Sequence, residues 1–168
     1  MKTSSTEFEK NKISLIDIKQ NFSVLISIYA GSNSKDLDQA LLSIEEQTLL
    51  PSEVILVEDG YIDNSLTCIV KKYRLILNII SIRLKENMGH GYALNHGLKL
   101  CSNEIVIRMD GDDICLPKRF ELQVDHLISN PGISVSSGRI DEFDSTVTNI
   151  IGSRSLPCKH EDIFKFAK

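Results

Sequence analysis

Hydrophobic and polar positions along this chain switch repeatedly between two periods. The run FSVLISIY at 22–29 is apolar and rich in β-branched residues, the pattern of a strand buried on both faces. After the loop AGSNSKD, residues Leu37, Ala40, Leu41 and Ile44 recur at i, i+3, i+4 and i+7. That spacing predicts an amphipathic helix over 35–47, capped by Asn33 or Ser34. Pro51 breaks the chain, and EVILVEDG at 53–60 predicts a second buried strand. Asp63 or Asn64 then caps a helix whose apolar face is Leu66, Ile69, Val70 and Tyr73. LNIISIRL at 77–84 is a third strand, followed by the glycine-bearing turn ENMGHGY and a helix over 91–101 with Leu94, Leu98 and Cys101 inward. EIVIRM at 104–109 is a fourth strand. Beyond DGDD, a helix with Pro117 in its first turn buries Phe120, Val124, Leu127 and Ile128. Asn130-Pro131 ends it, and ISVSSGRI at 133–140 reads as a fifth strand.

Strands alternating with helices predict an α/β fold: an open, mostly parallel sheet with helices on both faces. Right-handed crossovers place the C-terminal ends of the strands on one edge, where such sheets bind ligands. Residues 1–20 are polar and mixed in charge and read as a loose N-terminal extension; 21–141 is the α/β domain. The pattern weakens over 142–168, where one strand near 147–152 and a helix near 160–167 are expected, as though the fold continued past the last residue.

The length of 168 residues suits one domain and a short tail, and 42% hydrophobic with 25% charged residues is a globular composition. A net charge of −4 argues against a nucleic-acid partner. No apolar run approaches a membrane span, and MKTSSTEFEKNKISLIDIKQ lacks the apolar stretch of a secretory signal. Cys68, Cys101, Cys115 and Cys158 form no CxxC pair, so a cytoplasmic chain with reduced cysteines is expected.

The most informative chemistry is Asp110-Gly111-Asp112-Asp113 at the end of the fourth strand. Like charges this close repel, and hard carboxylate oxygens suit Mg²⁺ or Mn²⁺, which complete their shell with substrate phosphates. The competing reading is an acidic turn that caps the next helix. An EF-hand is rejected, because Cys115 stands where its loop requires glycine. Glu58-Asp59-Gly60 ends the second strand on the same edge, either as a hydrogen-bond acceptor for a base or ribose or as a simple turn. Gly89-His90-Gly91-Tyr92-Ala93-Leu94 nearly matches the dinucleotide fingerprint, but leucine fills its sixth place and it follows the third strand. Arg108, Lys118 and Arg119 flank the acidic turn, as diphosphate partners or as surface charge. Tyr29 ends the first strand, as a base-stacking ring or as core.

In this order, SVLISIY, LDQALLSIEEQTLLPSEVILVEDG, ENMGHGYALNHGL and IRMDGDDICLPKRFELQV resemble family-2 glycosyltransferases over about residues 22–140. The resemblance implies the GT-A nucleotide-sugar-binding fold and an inverting sugar transfer from a nucleoside-diphosphate sugar, a UDP-sugar above all, aided by Mn²⁺ or Mg²⁺. It implies that Ser27 and Tyr29 line the base pocket, that Asp59 recognises the base, and that Asp112 and Asp113 are the DxD pair contacting ribose and metal-bound diphosphate. Asn95 and Gly97 fall in the family's ARN-G block, where Leu94 replaces the usual arginine. Pro117 and Arg119 match the block after the DxD.

The family's base and acceptor pocket lie further along than this sequence reaches, so the catalytic base is expected to be absent from it. Glu161 and Asp162 are read as surface-helix residues. The resemblance also implies a glycan or lipid-linked acceptor, surface polysaccharide synthesis, and a cytoplasmic site near the inner face of the membrane. Two alternatives stand beside it. One is a truncated, non-catalytic nucleotide-sugar-binding module, or one completed by a partner chain. The other is a nucleotidyltransferase, disfavoured because AGSNSKD is not a basic glycine-rich loop.

Overall fold

The computed structural model describes residues 21–166 apart from 145 and 147; the predicted extension at 1–20 lies outside these. Four parallel strands form one sheet in the order β3-β2-β1-β4: β1 (Phe22–Tyr29), β2 (Glu53–Asp59), β3 (Ile79–Arg83) and β4 (Ile105–Arg108). Between them run α1 (Ser34–Glu45), α2 (Asn64–Tyr73) and α3 (His90–Leu98); α4 (Arg119–Ser129) follows β4. The two central strands are the most buried, and every residue of β2 is buried. This is why they read as continuous apolar runs rather than as alternating ones.

Side-chain parity sorts the layers. Leu25, Ile55 and Val57 share one face of the sheet and pack with Ala93 of α3. Gly97 permits that approach: a Cβ there would meet Leu25 at 2.5 Å and Val57 at 2.6 Å. On the other face, the ring of Phe22 meets that of Phe120 edge-on at 5.4 Å. There α1 buries Leu37, Ala40, Leu41 and Ile44, the stripe its spacing predicts. N-caps begin two of the helices as expected. Asn33 accepts from the Lys35 amide at 2.8 Å, and Asp63 from the Leu66 amide at 2.9 Å.

Several elements differ from the sequence reading. Helix α3 begins at His90 and ends at Leu98 rather than running to 101. Pro117 sits in the turn before α4, where its carbonyl accepts from the Thr48 amide at 2.8 Å. The segment 133–139 is not a strand: Ile133 and Val135 are exposed, and among the described residues no strand pairs with them. A run of apolar and serine residues satisfies strand propensity, yet a strand also needs a partner for its backbone groups.

By packing, the chain divides into two compact units, one ending at Asp125 and the next beginning at His126. The second unit holds an antiparallel hairpin of β5 (Ile140–Phe143) and β6 (Ile150–Arg154), then the short α5 (His160–Phe166). Strand β6 lies a few residues beyond the expected 147–152.

Candidate donor-binding site

The C-terminal ends of β1, β2 and β4 border a cavity of about 580 Å³. Its walls include Ser27, Tyr29, Asp59, His90, Asp110 and Asp112, together with Asn33, Asp36 and Asn87. Right-handed crossovers deliver these side chains to one edge from three different strands. Asp113 is not among the lining residues.

Asp59 is buried at the end of β2 and both its oxygens are engaged. Oδ1 accepts from the Met88 amide at 2.7 Å and Oδ2 from the Gly89 amide at 2.9 Å. The carboxylate therefore holds the loop that leads into α3. Each oxygen keeps a second lone pair for a ligand donor. Gly60 follows with φ +86°, and a Cβ there would lie 2.9 Å from the Asn87 nitrogen, so the turn admits only glycine without strain. The preceding Glu58 faces away from this loop and binds β3, accepting from Ser81 at 2.6 Å and from Arg83 at 2.5 Å.

Ser27 and Tyr29 sit at the end of β1. The Ser27 hydroxyl lies 2.9 Å from His90 Nδ1, and His90 Nε2 lies 3.0 Å from Arg108 Nη2. Arginine has only donors, so Nε2 is the acceptor and Nδ1 carries the proton it gives to Ser27. Tyr29 is half exposed, and its ring lies against Gly31, where a Cβ would meet it at 2.5 Å. Thus the ring borders the cavity and is not core.

The acidic turn is divided electrically. Arg108 Nη2 reaches both oxygens of Asp110, at 2.8 and 2.9 Å. Asp112 is exposed, and among the described residues it has neither a hydrogen bond nor an ion pair. Asp113 is also open to solvent on one side, yet its carboxyl is held above the usual aspartate range. Loss of water is the first cause and the charges of Asp110 and Asp112 add to it, while Arg119 and Arg108 oppose. The donor set fits a hard divalent cation, since carboxylate oxygens are hard ligands and Asp112 borders the cavity without a partner. Among the described residues no three ligating side chains converge, so the protein would supply only one or two ligands. A Mg²⁺-like ion commonly takes its remaining ligands from water and phosphate.

Two positioning residues escaped the sequence reading. Gln47, just past α1, is buried and donates to the Leu116 carbonyl at 2.8 Å and the Ser43 carbonyl at 3.0 Å; its oxygen accepts from the Phe120 amide at 3.1 Å. Ser43 accepts from the Cys115 amide at 3.0 Å. Together they fasten the segment that follows the acidic turn to α1. Arg119 adds a brace, donating to the Arg108 carbonyl at 3.0 Å. Such partners lie about 70 residues apart in sequence, as for Gln47 and Leu116, and no local pattern announces them. Asp36, in the first turn of α1, is a further acid of the cavity that its sequence position did not single out.

The family model described as "Glycosyl transferase family 2" matches residues 23–167, and this chain belongs to that family. It is 40% identical over 147 residues to the amylovoran biosynthesis glycosyltransferase AmsE of Erwinia amylovora, covering 88% of this chain and 54% of that protein. To the UDP-Gal:alpha-D-GlcNAc-diphosphoundecaprenol beta-1,3-galactosyltransferase of Escherichia coli it is 39% identical over 152 residues, covering 90% and 55%. This chain therefore spans about half the length of the curated relatives it matches. Among solved structures it resembles S. aureus TarS 1–349 in complex with UDP-GlcNAc, at 30% identity and a TM-score of 0.59, over 66% of this chain and 32% of that one. The GT-A fold expected from the sequence is thereby shown. Among the described residues no helix is long and apolar enough to cross a membrane.

Proposed function

We propose that this chain is the donor-binding part of a glycosyltransferase that moves a sugar from a nucleoside-diphosphate sugar, a UDP-sugar, to a hydroxyl of a glycan or lipid-linked acceptor. The observation that carries the reading is the unpaired carboxylate of Asp112 in a cavity bordered by Ser27, Tyr29 and Asp59. The names of the relatives, one in amylovoran biosynthesis and one a galactosyltransferase acting on a diphosphoundecaprenol-linked sugar, support polysaccharide assembly on a lipid-linked acceptor. Residues 21–141 form the nucleotide-sugar-binding region, and 142–168 begin the acceptor side.

Each residue has a chemical task in this reading. Tyr29 offers a ring face to the base, and Asp59 offers its remaining lone pairs to the base edge. The Ser27 hydroxyl, already accepting from His90, has its own hydrogen left to donate. Asp112 and Asp113 would hold Mn²⁺ or Mg²⁺, and Asp112 would also reach the ribose. When bound, the ion stabilises negative charge on the leaving diphosphate. In the transfer, an acceptor oxygen forms a bond to the anomeric carbon as the bond from that carbon to the diphosphate oxygen breaks. The diphosphate leaves with the electron pair, and the acceptor proton passes to a base. No residue described here is given that last role.

Titrating UDP and GDP in the presence of Mn²⁺ tests the reading, with UDP expected to bind and GDP to bind more weakly. A folded chain that binds neither would contradict it. Release of UDP from a UDP-sugar in the presence of acceptor separates an enzyme from the alternative of a non-catalytic binding module, which would bind UDP without turnover.

A further inference from the structure

We propose that Gly31 is a positioning residue for the nucleotide base: its bare backbone seats the outer end of the Tyr29 ring and so fixes where that ring stands in the donor cavity. The inference rests on the donor-site reading above and deepens it, naming what holds the ring that the base would meet.

Backbone conformation does not explain a glycine at 31. Among the described residues the glycines with positive φ are Gly60 and Gly89, and Gly31 is not one of them. The turn itself therefore does not demand glycine. Space does. A Cβ at Gly31 would lie 2.5 Å from Tyr29 Cε2 and 2.8 Å from both Cζ and Oη, and these are its three nearest atoms. Carbon atoms in contact stand roughly 3.5–4.0 Å apart, so a side chain at 31 and the ring in its present place exclude each other. The turn holds the main chain on both sides of this seat. The Ser32 amide donates to the Tyr29 carbonyl at 3.0 Å, and the Ser32 hydroxyl accepts from the Tyr29 amide at 3.1 Å. What stays free is the ring torsion. The ring is half exposed, and among the described residues its hydroxyl has no hydrogen-bond partner. Neither the core nor a polar anchor fixes the ring, and the seat on Gly31 does. Tyr29 is the register partner of Asp59 across β1 and β2, and Tyr29, Gly31 and Asp59 border the same cavity. The ring and the carboxylate read for the base thus leave neighbouring strand ends. An added methyl would meet the far end of a movable side chain, so it turns the ring and leaves the fold intact. Its cost falls on base binding and not on stability.

The test is Gly31→Ala in the whole chain, titrated with UDP and with inorganic pyrophosphate, both with Mn²⁺. The denaturation midpoint should match wild type. UDP should bind about fivefold more weakly or worse, the lower end for losing one base–aromatic stack. Pyrophosphate, which has no base, should bind as it does to wild type. Tyr29→Ala should also weaken UDP, and Tyr29→Ala/Gly31→Ala should bind it no more weakly than Tyr29→Ala alone, because Gly31 acts only through the ring. Unchanged UDP affinity in Gly31→Ala overturns the proposal. So do equal losses for UDP and pyrophosphate, additive losses in the double variant, or a Gly31→Ala chain that fails to fold. Should pyrophosphate bind wild type too weakly to measure, the double variant decides. Failure of the donor-site reading is seen separately, as wild type that binds no UDP even with Mn²⁺. The seat is then still tested without ligand, by the nuclear Overhauser contact between the Tyr29 ring protons and the Gly31 Hα protons; its presence is expected and its absence overturns the proposal.

Discussion

The carboxylate of Asp59 and the amide of Gly89 meet at 2.9 Å, which ties the end of β2 to the first turn of α3. With the Met88 amide on the other oxygen, one buried acid fixes the loop that carries His90 into the cavity. The acid is thus structural before any ligand arrives.

Asp59→Ala should lower stability by roughly 2–4 kcal/mol, since two amides lose a charged acceptor in a buried setting. Denaturant unfolding measures the loss. Asp59→Asn, which keeps one acceptor oxygen, should lose less than the alanine variant. Equal losses would mean that the second amide finds water.

Gln47 provides the next test. Gln47→Leu removes bonds to Leu116, Ser43 and Phe120 and leaves buried backbone groups unpaired, so a cost of about 2–4 kcal/mol is expected. Because Gln47 fastens the segment after the acidic turn, UDP affinity should fall as well, in protein that remains folded at the assay temperature. Unchanged affinity would show that Asp112 is held without it.

Gly97 marks a close contact of α3 with the sheet. Gly97→Val should destabilise by roughly 1–3 kcal/mol or more, because the added methyls would have to displace Leu25 and Val57. Thermal unfolding reads the effect. A neutral result would mean that α3 can slide on the sheet.

Glu53 sets a pH dependence of stability. Burial works to raise its pKa, but hydrogen bonds from Ser23 and Ser102 outweigh burial and leave the carboxyl below the ordinary glutamate value. A depressed folded-state pKa contributes stability above the unfolded value, and that contribution is lost as pH falls through the folded one. Stability should therefore decline on acidification below the normal glutamate range. Glu53→Gln should flatten that part of the profile while lowering stability at neutral pH. A wild-type profile unchanged by the substitution would contradict this assignment.

The sheet and its helices were legible because burial on two faces writes a continuous apolar run, as in EVILVED, and burial on one writes Leu37, Ala40, Leu41 and Ile44. The strand read at 133–140 was misplaced for the converse reason: propensity is local, whereas pairing is not. Likewise the sequence placed Asp59, Asp110 and Asp112 on one edge, because strand ends and crossovers suffice for that. It did not reveal that Met88 and Gly89 occupy Asp59, or that Arg108 occupies Asp110. Those depend on where loops return in space. Gln47 was invisible for the same reason, being one polar residue just past an ordinary helix, with its long-range partners Leu116 and Phe120 coming after β4.

The central claim is that Asp112 makes this cavity a metal-dependent nucleotide site. Calorimetric titration of UDP into the chain, with and without Mn²⁺ and beside Asp112→Ala, tests it most directly. The account predicts binding that requires Mn²⁺ and weakens at least about tenfold in the variant, the loss of one charged ligand contact. Folded wild-type protein that binds no UDP with Mn²⁺, or a variant that binds as well as wild type, would contradict it.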